Sequence, residues 1–247
     1  MVSPSESIET GPLGIVGFGA FGQLMARHLR PHFAVVACDR VADVESARAL
    51  DVALVELDAI ARCRMIVLAV PVSAMPGVLT ELAPQLAPGT VVLDVGSVKL
   101  EPAAAMLELL PDHVEIVATH PLFGPQSARD GISGHRIAVC PLRGRRFRVA
   151  AFLRKLGLEV ILTTPEDHDR DLAQVQGLTH AIARLLSEMK PSPTKMTTRS
   201  YELLMSAVDM VRHDSADVSD AIFRRNPFAA DVLTRFMAAA ALFGKQA

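Results

Sequence analysis

A glycine-rich segment near the N-terminus carries the first residues that could do chemistry. It reads G-F-G-A-F-G and comprises Gly17, Phe18, Gly19, Ala20, Phe21 and Gly22. At this spacing the first glycine permits a tight turn, the second lets a pyrophosphate approach the backbone, and the third allows close packing of helix on strand. The N–H groups that begin a following helix would bind the phosphates. The motif therefore predicts a dinucleotide site, provided that it joins a strand to a helix.

Two neighbouring residues, Asp39 and Arg40, bear on which dinucleotide would bind. Asp39 ends the second apolar run of the chain, where an acidic side chain can hydrogen-bond the adenosine ribose and would repel a 2′-phosphate. Arg40 could instead pair with that phosphate. The sequence therefore predicts NAD as the cofactor and leaves NADP open. Val70 and Pro71, at the end of a later apolar run, are assigned to the same cofactor site.

Two polar segments follow further apolar runs. They read D-V-G-S-V-K at residues 94–99 and T-H-P-L-F-G-P at residues 119–125. Ligands of open α/β sheets bind beyond the carboxyl ends of the strands, and both segments are placed there. His120 is a candidate base, or acceptor for a substrate hydroxyl, in a loop of this kind because the pKa of imidazole lies near neutrality.

A third polar group lies on a predicted helix in the second half of the chain. Asp169, Gln176 and His180 fall close to one line, because about 11 residues make three helical turns. The apolar positions of this helix, from Leu172 to Met189, lie on the opposite side. Two interpretations stay open: the line is the solvent face of an amphipathic helix, or it is part of a functional site.

The elements that must position these residues alternate between strands and helices as far as Thr164. Short apolar runs lie at residues 13–17, 34–39, 65–70, 91–95, 115–119, 136–140 and 159–164. Runs that are apolar throughout are typical of strands buried on both faces by crossover helices. Helical patterns lie at residues 20–30, 74–86, 101–110 and 145–156. The alternation predicts an α/β fold with a doubly wound, mostly parallel Rossmann-type sheet.

The pattern changes after Thr164. Thr164-Pro165-Glu166-Asp167 is typical of a helix start, with Thr as the N-cap and Pro at the first helical position. Only helical patterns follow it. We therefore predict a dinucleotide-binding domain over residues 1–164 and an all-helical domain over residues 165–247. Because so short a helical domain carries many Leu, Met and Ala residues, we expect it to complete its core in a homodimer.

Composition narrows the class of protein. The 247 residues are 50% hydrophobic and 21% charged with a formal net charge of −2, as in folded globular proteins. The near-neutral charge argues against a nucleic-acid partner, and no apolar stretch is long enough to predict a membrane span. Three widely spaced cysteines and an N-terminus without a signal-peptide pattern predict a cytoplasmic location. We predict no metal site.

Together, these motifs resemble those of the prephenate and arogenate dehydrogenases. The glycine motif, D-V-G-S-V-K and T-H-P-L-F-G-P occur in the family's order, followed by H-D-R-D-L-A-Q-V-Q-G-L-T-H at residues 168–180. The stretch Y-E-L-L at residues 201–204, with Asp214-Ser215 and Asn226-Pro227 after it, is most similar to the plant-type arogenate dehydrogenases. The resemblance spans residues 13–240.

This resemblance implies an oxidative decarboxylation of a small-molecule substrate, with hydride transfer to a nicotinamide and loss of the ring carboxylate as carbon dioxide. It assigns His120 as the catalytic acceptor of the hydroxyl proton and Ser97 as a hydrogen-bond partner of the same hydroxyl and of the nicotinamide region. It assigns His180 to substrate binding. It also places Asp169 where the plant-type branch carries an acid, which would bind the ammonium group of arogenate.

Three further residues complete the predicted substrate site. Lys99 and Gln176 are assigned to it from their places in the matching motifs. The chain lacks the G-F-R-D-type segment whose arginine holds the ring carboxylate in other branches. Arg199 is the nearest substitute and Arg212 a weaker one.

Several alternatives stay open at the level of sequence. Prephenate, or an amino-substituted prephenate, would suit the same motifs as arogenate. A β-hydroxyacid dehydrogenase would need a catalytic lysine in the helical domain, where Lys190 and Lys195 lie beside prolines at a helix end. A non-catalytic NAD(P)-binding regulatory protein would need the glycines, but not His120, Ser97 and His180 together.

Overall fold

The computed structural model describes residues 11–41, 43–144, 146–212 and 214–246. The chain divides into two compact units, with the division after Pro165. This is one residue beyond the boundary that the sequence predicts. The N-terminal residues 1–10, on which the absence of a signal peptide was predicted, lie outside the described residues.

One sheet forms the centre of the first unit. Its strands among the described residues, β1 to β8 in chain order, are Leu13–Val16, Val35–Cys38, Ala53–Leu54, Met65–Leu68, Val91–Asp94, Glu115–Pro121, Arg136–Arg143 and Glu159–Leu162. The spatial order is β3-β2-β1-β4-β5-β6-β7-β8. Neighbouring strands are parallel except β6 and β7. The predicted α/β class with a mostly parallel, doubly wound sheet is confirmed.

Helices cover the sheet because its strands are apolar on both sides. The α-helices among the described residues of this unit, α1 to α6, are Ala20–Leu29, Val44–Ala49, Leu57–Ile60, Met75–Leu82, Leu100–Leu109 and Arg146–Lys155. Along β4, Val67 packs into one apolar cluster, whereas Ile66 and Leu68 pack into another. Successive strand residues point to opposite faces, so β4 is buried on both faces, as its uninterrupted apolar run predicts.

The sheet departs from the prediction in two places. β3 has two residues and was missed, because so short a strand leaves no pattern in the sequence. β6 continues to Pro121 and pairs antiparallel with β7, with His120 opposite Ala138. His120 therefore lies inside a strand and not in the loop that the sequence predicts.

Helices alone make up the described part of the second unit, as predicted. They are, from α7 to α11, Pro165–Leu172, Leu178–Met189, Arg199–Val211, Ala216–Asp220 and Ala229–Gln246. A π-helical turn at Ala173–Gly177 joins α7 to α8, and a second one at Ala221–Arg225 extends α10. The helix begins at Pro165 as predicted, but a π-helical turn interrupts it, and no residue pattern indicates that turn. Such a turn has one extra residue and is frequent at functional sites.

The long helix of the second unit, which runs from α7 through the π-helical turn to α8, buries most of its polar line and exposes some of its apolar residues. Asp169 is fully buried, His180 is 9% exposed and Gln176 is half-buried. Val175 and Met189 on the apolar side are 63% and 72% exposed. The interpretation of the polar line as a solvent face is therefore wrong. Large apolar side chains are also exposed on α9 and α11: Leu203, Leu204, Met210, Met237, Leu242 and Phe243.

Three further observations concern membrane-spanning helices, metal sites and disulfides. Among the described residues no single helix has the length and apolarity to cross a membrane, and Ala216–Arg225 with Ala229–Lys245 meets that test only as a pair bent by 88°. The same residues include no group of three or more His, Cys, Asp or Glu side chains that could hold a metal ion. Cys38, Cys63 and Cys140 form no disulfide.

Candidate active site

The glycine motif joins β1 to α1, which is the context that the prediction required. Gly17 has a φ of +99°, and a Cβ on it would lie 2.4 Å from the carbonyl oxygen of Ala69. A Cβ on Gly22 would lie 2.1 Å from the carbonyl oxygen of Gly17. These two glycines therefore serve the tight turn and the helix packing. No described atom lies within 4 Å of a Cβ at Gly19, which leaves room for a ligand.

The start of α1 is suited to an anion. Gly19 is its N-cap and supplies no side-chain hydrogen bond, and the first turn has no acidic residue. Gly19 and Ala20 are exposed. The N–H groups and the positive end of the helix dipole are therefore directed at the space beside Gly19. These residues fit the pyrophosphate of a dinucleotide.

Asp39 lies beside the same turn, at the end of β2. Its carboxylate accepts hydrogen bonds from the N–H of Phe18 at 2.5 Å and from the N–H of Val41 at 2.9 Å. These contacts fix the carboxylate where the ribose of a dinucleotide would bind. Arg40 is exposed next to it. Both residues predicted to decide between NAD and NADP therefore lie at the end of β2.

The other residues predicted to bind the cofactor differ in their burial and in their distance from the glycine turn. The side chain of Phe18 is buried in the core, so only its backbone is left to the cofactor site. Phe21 is half-buried, and its ring centroid lies 6.3 Å from that of Phe123 in the T-H-P-L-F-G-P segment. Val70 and Pro71 follow β4, and the Val70 nitrogen would lie 3.0 Å from a Cβ on Gly17. Val70 therefore borders the turn, and Pro71 follows it in the chain.

Gly19→Ala and Gly22→Ala form a matched pair that separates binding from folding. We expect Gly19→Ala to keep the wild-type Tm, because its backbone is extended and its surroundings are open, and to weaken NAD⁺ or NADP⁺ binding. We expect Gly22→Ala to lower the free energy of unfolding by about 1–3 kcal/mol, because its methyl group would overlap the Gly17 carbonyl. Calorimetry of unfolding and of dinucleotide binding measures both effects. Equal losses of Tm in the two variants would contradict the distinction.

The two predicted catalytic residues lie at neighbouring strand ends. β5 and β6 pair in parallel, with Asp94 opposite Ala118. Ser97 is half-buried in the turn that follows β5. His120 lies near the end of β6 and is 3% exposed. The structure therefore brings Ser97 and His120 to the same edge of the sheet.

The side chain of Lys99 is enclosed by the protein. Its side chain is fully buried and its ammonium group is paired with the carboxylate of Asp94. The same ammonium donates a hydrogen bond of 2.7 Å to the carbonyl oxygen of Thr119. These contacts direct the ammonium group of Lys99 into the protein, and its assignment to substrate binding stays a prediction.

In the helical unit, His180 faces Asp214. The Nε2 of His180 lies 3.6 Å from Oδ2 of Asp214, whose side chain is 37% exposed. Burial lowers the pKa of His180 and so favours its neutral imidazole, whereas the nearby charge of Asp214 raises that pKa in part. Burial raises the pKa of Asp214, and the nearby His180 lowers it in part. The pair thus combines an imidazole whose neutral form is favoured by burial with a partly exposed carboxyl group.

Gln176 belongs to the same region of the helical unit. It lies in the π-helical turn, one turn before His180 on the continuous helical path. Its side-chain oxygen is buried and has no hydrogen-bond donor among the described residues. An unsatisfied buried acceptor is costly, so a ligand that donates a hydrogen bond would be favoured here. Gln176 and His180 therefore remain candidates for substrate binding.

Asp169 contacts His168 rather than His180. Its Oδ1 lies 2.7 Å from Nδ1 of His168, and both side chains are fully buried. Its backbone carbonyl accepts a hydrogen bond of 2.8 Å from Asn226. Its carboxylate is thus enclosed beside His168, and its role as the ammonium-binding acid stays a prediction. The carboxylate that contacts His180 is Asp214, which periodicity could not reveal because it follows a different helix.

The two arginine candidates lie at opposite ends of α9. Arg199 begins the helix, where it is exposed and 3.6 Å from Glu202. Arg212 follows its last residue, 3.3 Å from Asp209 and close in sequence to Asp214. A helix of 13 residues is about 20 Å long. Within one chain the structure therefore separates Arg199 from the His180–Asp214 pair and places Arg212, the weaker candidate, at the same helix end.

Replacing His180 by glutamine is expected to change the pH dependence of stability. The unfolded chain protonates this imidazole below pH 6.5, whereas the folded chain resists protonation because burial lowers its pKa. Stability is therefore lost as the pH falls below that value. We expect the Tm of the wild type to fall more than that of His180→Gln between neutral and mildly acidic pH. Parallel curves of Tm against pH would contradict this expectation.

Comparison with known proteins supports a common origin over most of the chain. A family model described as the nucleotide-binding domain of prephenate dehydrogenase matches residues 25–156, and one described as a TYRAAT1-like C-terminal domain matches residues 185–244. Arogenate dehydrogenase 1, chloroplastic, from Arabidopsis thaliana is 31% identical over 91% of this chain and 37% of that protein. A probable arogenate/prephenate dehydrogenase from Methanocaldococcus jannaschii is 29% identical over 80% of this chain and 48% of that protein. The chain thus spans less than half the length of these two relatives.

A solved structure shares the fold. Prephenate dehydrogenase from A. aeolicus, in complex with hydroxyphenyl propionate and NAD⁺, superposes with a TM-score of 0.75 at 20% identity, over 97% of this chain and 91% of that chain. The match to the nucleotide-binding domain covers more than half of the present sequence. The chain therefore belongs to the prephenate dehydrogenase family.

Proposed function

We propose that this protein is an NAD(P)-dependent arogenate dehydrogenase, which converts L-arogenate to L-tyrosine by oxidative decarboxylation. The observation that carries the choice of substrate is the partly exposed carboxyl group of Asp214 beside His180. A carboxylate can bind the ammonium group that arogenate has and prephenate lacks. The similarity to arogenate dehydrogenase 1 of Arabidopsis thaliana supports the same substrate.

The sheet unit supplies the groups for the chemical step. A bound nicotinamide supplies the acceptor for the hydride. His120 takes the proton of the substrate's ring hydroxyl as the hydride leaves the same carbon, and Ser97 orients that hydroxyl with a hydrogen bond. The ring carboxylate then leaves as carbon dioxide, and the phenolate oxygen of the new aromatic ring recovers the proton from His120. Because aromatisation is strongly favourable, the main task of these residues is to position the reacting groups.

Asp39 and Arg40 support a proposal on the cofactor. The Asp39 carboxylate is held beside the glycine turn by two backbone N–H groups, where it suits the free ribose hydroxyls of NAD. We propose NAD as the preferred cofactor. Because the exposed Arg40 can pair with a 2′-phosphate, NADP is the second candidate.

The exposed apolar residues of the helical unit support a homodimer. Val175 and Met189 on the long helix, with Leu242 and Phe243 on α11, are more than half exposed. Apolar surface of this kind marks a protein interface, and we propose that a second copy of the chain covers it. Light scattering would then give twice the mass of one chain.

We further propose a cytoplasmic location, which the three widely spaced cysteines support.

The test is an absorbance assay for the reduced nicotinamide with four combinations: arogenate or prephenate, each with NAD⁺ or NADP⁺. We expect the highest kcat/KM with arogenate and NAD⁺. Turnover with prephenate alone would instead establish a prephenate dehydrogenase. If all four combinations are silent while a dinucleotide binds, the proposed function is wrong, and an amino-substituted prephenate or a non-catalytic role takes its place.

A further inference from the structure

A buried ion pair encloses the turn that carries Ser97. The ammonium group of Lys99 is paired with the carboxylate of Asp94, and both side chains are fully buried. Asp94 is the last residue of β5, and Lys99 immediately precedes α5. The N–H of Gly96 also donates to Oδ2 of Asp94 at 2.9 Å. The turn is therefore fixed at both of its ends.

The same pair is bonded to β6 through Thr119, the residue directly before His120. The Lys99 ammonium donates to the carbonyl oxygen of Thr119 at 2.7 Å. The N–H of Thr119 donates to Oδ1 of Asp94 at 3.2 Å, and its hydroxyl donates to the Asp94 backbone carbonyl at 2.5 Å. The polar groups of Asp94, Lys99 and Thr119 thus join the strand of His120 to the turn of Ser97.

A contribution to the free energy of unfolding does not by itself explain why the buried residues Asp94 and Lys99 are charged. Moving two charges out of water costs several kcal/mol for each ion, and apolar residues of similar volume often replace buried pairs without loss of stability. What apolar side chains do not provide is a set of directional contacts between two backbone segments. The pair is therefore better suited to fixing geometry than to raising the free energy of unfolding.

We propose that Asp94 and Lys99 are positioning residues, which hold the Ser97 hydroxyl and the His120 imidazole in one fixed relation without contacting the substrate. The proposal rests on the proposed function for the roles of Ser97 and His120. A displacement of about 1 Å between catalytic groups can cost 10²-fold in rate. We accordingly expect loss of the pair to lower kcat by about that factor.

The test uses the double variant Asp94→Asn/Lys99→Met, which removes both charges at nearly constant volume. We expect a Tm close to that of the wild type, unchanged NAD⁺ binding, and a kcat reduced by about 10²-fold. The matched control is the exposed ion pair of Arg136 and Glu159, which joins β7 and β8 at 2.9 Å. Arg136→Met/Glu159→Gln should keep the wild-type kcat.

The variant Ser97→Ala distinguishes a positioning role of the ion pair from a purely structural one. If the pair acts by placing the Ser97 hydroxyl, the double variant should lower kcat by a much smaller factor in a Ser97→Ala background than in the wild type. A structural defect would cost the same factor in both backgrounds. Equal costs, or a kcat of the double variant close to that of the wild type, would overturn the proposal.

Hydrogen exchange separates this proposal from the proposed function. If the wild type is inactive with all four substrate and cofactor combinations, the proposed function fails while the positioning role is still measurable. We expect faster amide exchange at residues 95–99 and at Thr119 and His120 in the Asp94→Asn/Lys99→Met variant. Unchanged exchange in these segments would overturn the positioning role, whichever substrate the enzyme uses.

Discussion

Replacing His120 by asparagine should lower kcat by about 10²–10⁴-fold while dinucleotide binding stays intact. Asparagine has a similar size and can hydrogen-bond the substrate hydroxyl, but it does not take up a proton at neutral pH. The imidazole is 3% exposed and lies within β6, so bulk water has little access to replace it as a base. Steady-state kinetics with arogenate, together with calorimetric titration of NAD⁺, measures both parts of the expectation.

The matched control for this variant is His113→Asn. His113 precedes the same strand, and its Nε2 lies 3.0 Å from the carbonyl oxygen of Leu86. It is exposed at the opposite edge of the sheet from His120, so its replacement should leave kcat unchanged. If His120→Asn retains wild-type turnover, or if both variants lose the same activity, His120 is not the proton acceptor.

Replacing Asp214 by asparagine should shift the enzyme from arogenate toward prephenate. A hydrogen bond to a charged group contributes about 1.5–3 kcal/mol, which corresponds to a change of tenfold to 10²-fold in relative kcat/KM. The loss should fall on arogenate, because only its side chain carries the ammonium group that the carboxylate would bind. The measurement is the ratio of kcat/KM for arogenate to that for prephenate, in the wild type and in the variant.

Asp169→Asn distinguishes this assignment from the one that the sequence suggested. Asp169 is fully buried against His168, so asparagine should lower the Tm by weakening that contact and leave the substrate ratio unchanged. The opposite result, a changed ratio in Asp169→Asn with an unchanged ratio in Asp214→Asn, would restore Asp169 as the ammonium-binding residue. The two variants thus separate a specificity role from a structural one.

The sheet and the glycine turn could be predicted because their signals are local. Each apolar run, such as β4, requires burial on both faces whatever its neighbours are. The strain at Gly17 and the close packing at Gly22 likewise follow from the spacing of the motif. Such a prediction fails where an element is too short to leave a pattern, as β3 is, or where pairing with a distant strand extends it, as β7 extends β6 through His120.

The polar groups were harder to assign because their roles depend on partners distant in the sequence. Lys99 belongs to a motif that resembles a substrate site, but Asp94 and the Thr119 carbonyl enclose its ammonium group. Helical periodicity placed Asp169 with His180, but it assumed an uninterrupted α-helix. The π-helical turn at Ala173–Gly177 breaks that assumption, and Asp169 turns out to pack against His168 and Asn226.

The exposed apolar side of the long helix has a consequence for the behaviour of the protein on dilution. In the proposed dimer, unfolding is coupled to dissociation, so the law of mass action makes the Tm rise with the total protein concentration. Val175 and Met189 would meet water whenever the two copies separate. An enzyme assayed at high dilution would then lose specific activity with time, and concentrated stocks would keep it.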